Sequence, residues 1–260
     1  MKVKNSKLLL GAVMALLGAQ GVSAETVKVG IAAEPYPPFA SADAAGTWQG
    51  WEVDMIGAIC TAAELECEIS PVSWDGIIPA LTSKKIDMIM ASMSITPERS
   101  KTIDFSDKYY NTPSSIVGDK RLEMDATPEG LSGKILGVQA GTIHREYALK
   151  HFAPVVAEIK EYQTQDEANQ DLAAGRIDAT QADSLAMTAF LESDQGQMCC
   201  EFKGDAAGDL DILGPGIGIG LRQSEDELKA KLNNAIAAVR ESGQYTEISD
   251  KYFDFDIYGE

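Results

Sequence analysis

Basic residues are scarce in this chain: lysine and arginine number 22 against 40 aspartates and glutamates, a formal charge of −18. No lysine- or arginine-rich stripe interrupts the acidic excess, so nucleic acid and anionic membrane surfaces are poor partners. The excess is spread along the sequence and reads as a solvated acidic surface. Histidine is scarcer still, with only His144 and His151. Neither has carboxylate or thiol company at metal-ligand spacing, so no metal site is expected. The glycine-rich stretch Gly214 to Gly220 lacks the spacing and strand-first context of a dinucleotide or phosphate loop, and no cofactor is expected either. After the first 24 residues no stretch approaches the ~20 apolar residues of a membrane span. A sensory ectodomain, which would need a span or a kinase segment, is therefore not the expected class.

What is present begins with an export signal. Lys2, Lys4 and Lys7 form a charged region, Leu8 to Leu17 an apolar core, and Val22-Ser23-Ala24 a small-residue cleavage site, so 1–24 reads as a signal peptide. Its loss removes three lysines and moves the formal charge from −18 to −21. The remaining 236 residues allow one large domain or two lobes. Four cysteines in an exported chain raise disulfides. Cys60 and Cys67 flank a helix-to-strand corner that can bring their Cα atoms into bridging range, and a structural disulfide is expected there. For the adjacent Cys199 and Cys200, a vicinal bridge and two free or separately modified thiols both stand.

Ala91 to Tyr110 is the stretch around which the rest is arranged. The apolar run Ile86 to Met90 reads as a buried strand. Thr96 then reads as a helix N-cap with Pro97 at the first helical position. Arg99 in that first turn, beside free backbone N–H groups and the hydroxyls of Ser92 and Ser94, makes a receptor of carboxylate size. Taken alone, the string also fits an ordinary helix start with an exposed arginine.

Along the chain, strands and helices alternate in the pattern of parallel sheets. Strand Val27 to Ile31 runs into the stiff aromatic loop Glu34 to Phe39, where Tyr36 is read as a cleft residue and Phe39 as a core plug. A turn over Gly46 to Trp51 precedes a helix from Glu52 to Ala63. A strand follows over Cys67 to Val72, and then a short helix over Ile77 to Leu81. Trp74, just past a strand end, fits either a cleft wall or core packing. After an extended run from Ser114 to Val117, a second series begins. Its strands are Ile135 to Val138, Val155 to Ile159 and Ile177 to Thr180, and its helices are Thr142 to Phe152, Asp166 to Ala174 and Leu185 to Leu191. Gly141 and Thr142 form a tight strand-to-helix corner presenting free N–H groups. Gly214 to Gly220 reads as an extended return to the first lobe. Helices Asp226 to Arg240 and Tyr245 to Tyr252 close the chain. This predicts two lobes joined by two crossing strands, with a cleft closed by a hinge. Arg99 and Ser92 would come from one lobe, Thr142 and Asp183 from the other, supplying donors for a carboxylate and a carboxylate for an ammonium.

Several segments together resemble the bacterial periplasmic amino-acid-binding proteins that feed ABC transporters (solute-binding protein family 3), most of all their lysine/arginine/ornithine- and histidine-binding branch. They are YPPF, WEVDM, WDGIIPAL, KKIDMIMASMSITPER, FSDKYY, GVQAGT, AGRIDA and KYFDFDIYG, and they cover nearly the whole mature chain. The resemblance implies a two-lobed α/β fold, the type II periplasmic binding protein fold. Each lobe would be a mostly parallel sheet flanked by helices, the first formed by 25–112 with 214–260 and the second by 113–213. It implies that Arg99 clamps an α-carboxylate with help from Ser94 and the backbone near Ser92 and Thr142, and that Asp183 takes the α-ammonium. Tyr36 and Trp74 would sandwich the ligand side chain, with Glu52 near its far end, and Cys60 with Cys67 would form the branch's disulfide. Ala91 stands where the branch has a serine, and Ala33 where it has an aspartate for which Glu34 is the substitute. Ile143 and His144 replace a threonine and a glutamine; His144 fits either the pocket or a surface helix face.

The expected function is capture of an L-amino acid, a basic one favoured, by a periplasmic monomer that delivers it to an ABC-transporter permease. A neutral or polar amino acid or an opine is the alternative. A dehydratase-like enzyme on the same scaffold would need a general acid in the cleft. Glu146 is the only acid near the second-lobe corner, so no catalytic residue is expected.

Overall fold

The computed structural model describes residues 26–259, so the expected signal peptide lies outside the described residues. The first half runs β1 (Thr26–Ala32), β2 (Ser41–Ala42), β3 (Trp48–Gln49), α1 (Trp51–Ala62), β4 (Glu66–Val72), α2 (Trp74–Thr82), β5 (Met88–Ile89) and β6 (Asp104–Tyr110). The chain then crosses to β7 (Ser114–Asp119), β8 (Ile135–Gln139), α3 (Ile143–His151), β9 (Glu158–Tyr162), α4 (Gln165–Ala173), β10 (Ala179–Asp183), α5 (Ser184–Glu192), α6 (Asp194–Cys199), β11 (Cys200–Asp205) and α7 (Leu210–Leu213). It returns through β12 (Ile217–Leu221) and ends in α8 (Asp226–Glu241) and α9 (Gln244–Ser249).

Two five-stranded sheets result, ordered β4-β1-β5-β12-β6 and β11-β7-β10-β8-β9. In the first, β12 alone runs against the common direction; in the second, β7 alone does. Each reversed strand is the first strand after a crossing: β7 follows the crossing into the second sheet and β12 the return to the first. The result is the mostly parallel, two-lobed α/β architecture.

Each sheet buries its faces under helices. β1 is solvent-touched at its start and fully buried over Val29 to Ile31, while β12 (IGIGL) is buried throughout. α8 covers the first sheet with Leu232, Ala235, Ile236 and Val239. Each such leucine, isoleucine or valine contributes about 1.5–3 kcal/mol by leaving water. Phe39 is fully buried among Trp51 and Tyr110, the core plug expected of it. In the second half, Leu136, Val138, Tyr147 and Phe152 form one cluster and Val117, Leu172, Ile177 and Met187 another. The Cys60–Cys67 bridge, with Cα atoms 6.2 Å apart, ties the end of α1 to β4. Cys199 and Cys200 are bonded to each other, which settles the two alternatives left by the sequence.

Some elements depart from expectation. No α-helix starts at Thr96; a three-residue 3-10 turn, Arg99–Lys101, stands there instead. Ile103 must be fully buried and Asp104 already begins β6, so no length remains for a helix. The apolar run Ile86 to Met90 pairs as a strand only over Met88–Ile89. β10 runs over Ala179–Asp183 rather than Ile177 to Thr180, which makes Asp183 the last strand residue. β9 begins at Glu158 rather than Val155. β6, α6, β11 and α7 were not anticipated.

Candidate functional site

A crevice enclosing about 680 Å³, its open mouth included, lies where strands of both sheets end. In open α/β sheets the carboxyl ends of strands are where ligand sites form, because the following loops are free to vary. From the first sheet come Ala32, Glu34, Pro35 and Tyr36 after β1, Glu52 at the start of α1, and Trp74 after β4. Ala91, Ser92, Ser94 and Arg99 follow β5. From the second come Gln139, Thr142, Ile143 and His144 around the β8–α3 corner, Gln165 after β9, and Asp183 ending β10. Every candidate site residue named from the sequence lines this one crevice.

Arg99 is held by its own turn. Thr96 Oγ1 accepts the Arg99 backbone N–H at 3.2 Å, so Thr96 does cap the turn although no α-helix follows. The guanidinium Nη1–H donates to the Ser94 carbonyl at 2.9 Å, and the guanidinium carbon sits 5.5 Å from the Trp74 ring centroid. Among the described residues no carboxylate pairs with Arg99 within 4.0 Å, and most of its donor fork remains available to an anion. Burial pushes its pKa down to about 10, partly offset by the charge of Asp183, so the cation persists at neutral pH.

Asp183 is 7% exposed at the end of a fully buried strand. Its Oδ2 accepts the Tyr36 hydroxyl at 2.6 Å, a bond from the loop after β1 to the end of β10. Burial first, and Asp183 second, raise the Tyr36 hydroxyl well above the usual phenol range, so it stays a donor. Tyr36 is stacked on Phe39, with centroids 5.9 Å apart. Tyr36 thus turns its hydroxyl to Asp183, while Trp74 lies against Arg99. Both rings line the crevice.

Glu52 is 1% exposed. Its carboxylate accepts the Ser92 backbone N–H at 2.9 and 3.1 Å, the Ser92 hydroxyl at 3.2 Å, and the Tyr109 hydroxyl. Ser92 has φ of 53°, a left-handed conformation that costs a non-glycine residue free energy unless something fixes it. Glu52 does that fixing. Burial raises its pKa, with the bonds from Tyr109 and Ser92 acting against the rise. Glu52, expected near the far end of a ligand side chain, lines the crevice, and its oxygens are engaged by the loop that carries Ser92 and Ser94.

Glu34 accepts the Trp74 backbone N–H at 3.2 Å, capping α2 from outside, since its N-cap Ser73 makes no side-chain cap bond. Thr142 caps α3 through the Arg145 N–H at 3.2 Å and donates to the Gln139 carbonyl at 2.7 Å. Gly141, with φ of 69°, sits so that a Cβ there would lie 3.3 Å from Trp74 Nε1; glycine lets the second-lobe corner close on the first-lobe tryptophan. Ala91 is buried at the crevice wall. His144 is buried in the crevice and not on a surface face; its Nδ1 is 2.9 Å from Ser114 Oγ and its Nε2 is 3.6 Å from Asp183 Oδ1. His151 is bonded to Asp209 at 2.7 Å, away from the crevice. Glu146 is exposed and paired with Arg145 at 2.7 Å.

Sequence reading missed Gln139, Gln165 and the supporting residues Tyr109, Ser114 and Gln181. Gln139 stood in the same GVQAGT corner as Thr142, and its place at a strand's C-terminal end was the available signal. Tyr109 lies 57 residues from Glu52, and no local pattern joins them.

Comparison with known proteins agrees with this geometry. The family described as bacterial extracellular solute-binding proteins, family 3, matches residues 27–255. The L-arginine-binding protein of Pseudomonas aeruginosa is 40% identical over 256 residues, covering 95% of this chain and 98% of that protein. The histidine-binding periplasmic protein of Salmonella typhimurium is 38% identical, covering 99% of this chain and 100% of that protein. Among solved structures, an ancestral arginine-binding protein bound to glutamine superposes with a TM-score of 0.79 at 34% identity, covering 88% of this chain and 98% of that one. With its two mixed sheets, its shared crevice and a family match across nearly all the described residues, the chain belongs to the bacterial extracellular solute-binding proteins of family 3.

Proposed function

We propose that this protein binds an L-amino acid with a basic side chain between its lobes and hands it to an ABC-transporter permease. The observation that carries the reading is that Arg99 and Asp183, from different sheets, face one crevice. The guanidinium fork takes the α-carboxylate, with Ser94 and the free N–H groups of the Thr142 corner beside it. Asp183 takes the α-ammonium. Beside Glu52, which supports the Ser92 loop, the carboxylates of Glu34 and Asp183 line the crevice against one permanent cation, and a ligand of net positive charge complements that excess. Trp74 and Tyr36 offer ring faces for cation–π contact. The named relatives bind arginine and histidine, which supports a basic side chain. A neutral polar side chain is the second reading, favoured by the Gln139 and Gln165 amides in the wall and by the engagement of Glu52 with Ser92 and Tyr109.

We take the site as a binding site rather than a catalytic one, because the named relatives are binding proteins; Glu146, the acid nearest the second-lobe corner in sequence, is exposed. We take the lobes as 25–112 with 214–260 and 113–213, hinged where the chain crosses between Tyr110 and Ser114 and between Asp205 and Ile217. The protein works as a monomer in the periplasm after loss of 1–24. Thermal-shift screening of the standard amino acids with ornithine, citrulline and octopine tests the reading, since a ligand at 100 times its Kd adds about 2.7 kcal/mol. Arginine, lysine, ornithine or histidine should give the largest shift. No shift with any of them contradicts the proposal.

A further inference from the structure

On the second-lobe wall, one histidine stands between a buried neutral network and the carboxylate of the ammonium subsite. His144 is 5% exposed in the first turn of α3. Its Nδ1 lies 2.9 Å from Ser114 Oγ, which also receives the Gln181 Nε2–H at 2.9 Å. A hydroxyl that accepts from an amide has its one O–H left to donate, here to Nδ1. Neutral His144 then carries its hydrogen on Nε2, the nitrogen 3.6 Å from Asp183 Oδ1. Gln181 Oε1 is buried with no hydrogen-bond partner. Turning that amide over places Oε1 against Ser114, reverses the hydroxyl and lets Nδ1 donate as well. The same three side chains then hold an imidazolium. The cluster therefore serves both charge states of His144 by rotating one amide and one hydroxyl.

We propose that ligand binding is linked to loss of a proton from His144, which sets the charge of the ammonium subsite. As an imidazolium it neutralises Asp183 and competes with the ligand's ammonium; as a neutral imidazole it leaves that charge to the ligand. The inference rests on the reading of the crevice as an amino-acid site. Histidine is the side chain that changes charge between about pH 5 and 8.

Asp183 is the acid facing His144; Tyr36 is bonded to it, and Arg99 lies across the crevice. On α3 and the elements packed against it, other charged groups are committed elsewhere. Arg145 pairs with Glu146 and with Glu161 of β9, Lys150 and His151 pair with Asp209 ahead of α7, and Lys160 of β9 pairs with Asp171. Tyr147 packs at a tilt against His151, and Glu158 and Asp211 are exposed. β8 carries no charged side chain, and on β10 Asp183 is the charged one.

Calorimetric titration of the wild type and His144→Gln with the tightest-binding amino acid, across about pH 5 to 8, tests the linkage. The wild type should lose affinity as pH falls, by up to about tenfold per pH unit for one proton. Titrations in two buffers of different ionisation heat should show proton release on binding, a measurement that needs no variant. His144→Gln, shown folded by its thermal transition, should bind with a flat profile and no proton release. Equal slopes in the two proteins, or no proton release from the wild type, overturn the proposal while leaving the amino-acid site standing. No binding at any pH removes both.

Discussion

Replacing Glu52 by alanine separates a loop support from a ligand contact. The substitution strands two donors, the half-buried Ser92 backbone N–H and the buried Tyr109 hydroxyl, and frees the half-buried Ser92 hydroxyl to water. Each stranded donor costs about 1–3 kcal/mol, so Glu52→Ala should lose about 2–6 kcal/mol of folding stability, the lower half if water enters the space. Ser92 would also lose what holds its left-handed conformation, and the Ser94 carbonyl that orients Arg99 lies two residues on. Chemical denaturation gives the stability and calorimetry the affinity. The expected result is a large stability loss together with weakened binding of acidic, neutral and basic amino acids alike. A stability change under about 1 kcal/mol combined with selective loss of basic ligands would refute the reasoning and make Glu52 a direct contact of the side chain.

Other outcomes follow from the same geometry. Arg99→Ala should weaken binding by about 2–5 kcal/mol in calorimetry, because it leaves a carboxylate buried without its partner. Tyr36→Phe removes a hydrogen bond to a charged acceptor that joins the two lobes; its loss should cost about 1.5–3 kcal/mol, read as a faster ligand off-rate in stopped-flow fluorescence. The folded pKa of Glu52 lies above the ordinary value of 4.5, so the stability it contributes is full below that value and is lost as pH rises through the folded one. The stability advantage of the wild type over Glu52→Gln should therefore shrink as pH increases from about 4.5, measured by urea unfolding. Replacing Cys60 and Cys67, seven residues apart, should cost about 2.5 kcal/mol by releasing the loop they close.

Much of the fold was written in local pattern. The βα alternation and the return of Gly214 to Gly220 to the first sheet follow from apolar periodicity and turn residues, and both hold in the two sheets. β6 escaped because DFSDKYY carries charge at its solvent positions and only its tertiary place buries Phe105, Tyr109 and Tyr110. Thr96 and Pro97 do look like a helix start; the demand to bury Ile103 and pair Asp104 ended the turn after one step. At the site, Arg99, Asp183 and Thr142 were legible because each sits at a strand end or cap with a plain chemical use. The partners that give Glu52 and His144 their roles were not, since Tyr109, Ser114 and Gln181 meet them only through the fold.

In the proposed function, one guanidinium and one carboxylate grip the two ends of a single zwitterion. This claim is tested most directly by the affinity of the wild type for its tightest amino acid and for the amine left when that ligand's carboxylate is removed. The amine should bind at least about thirtyfold more weakly, the equivalent of 2 kcal/mol or more for an unpaired Arg99. An amine that binds as tightly as the amino acid would contradict the claim.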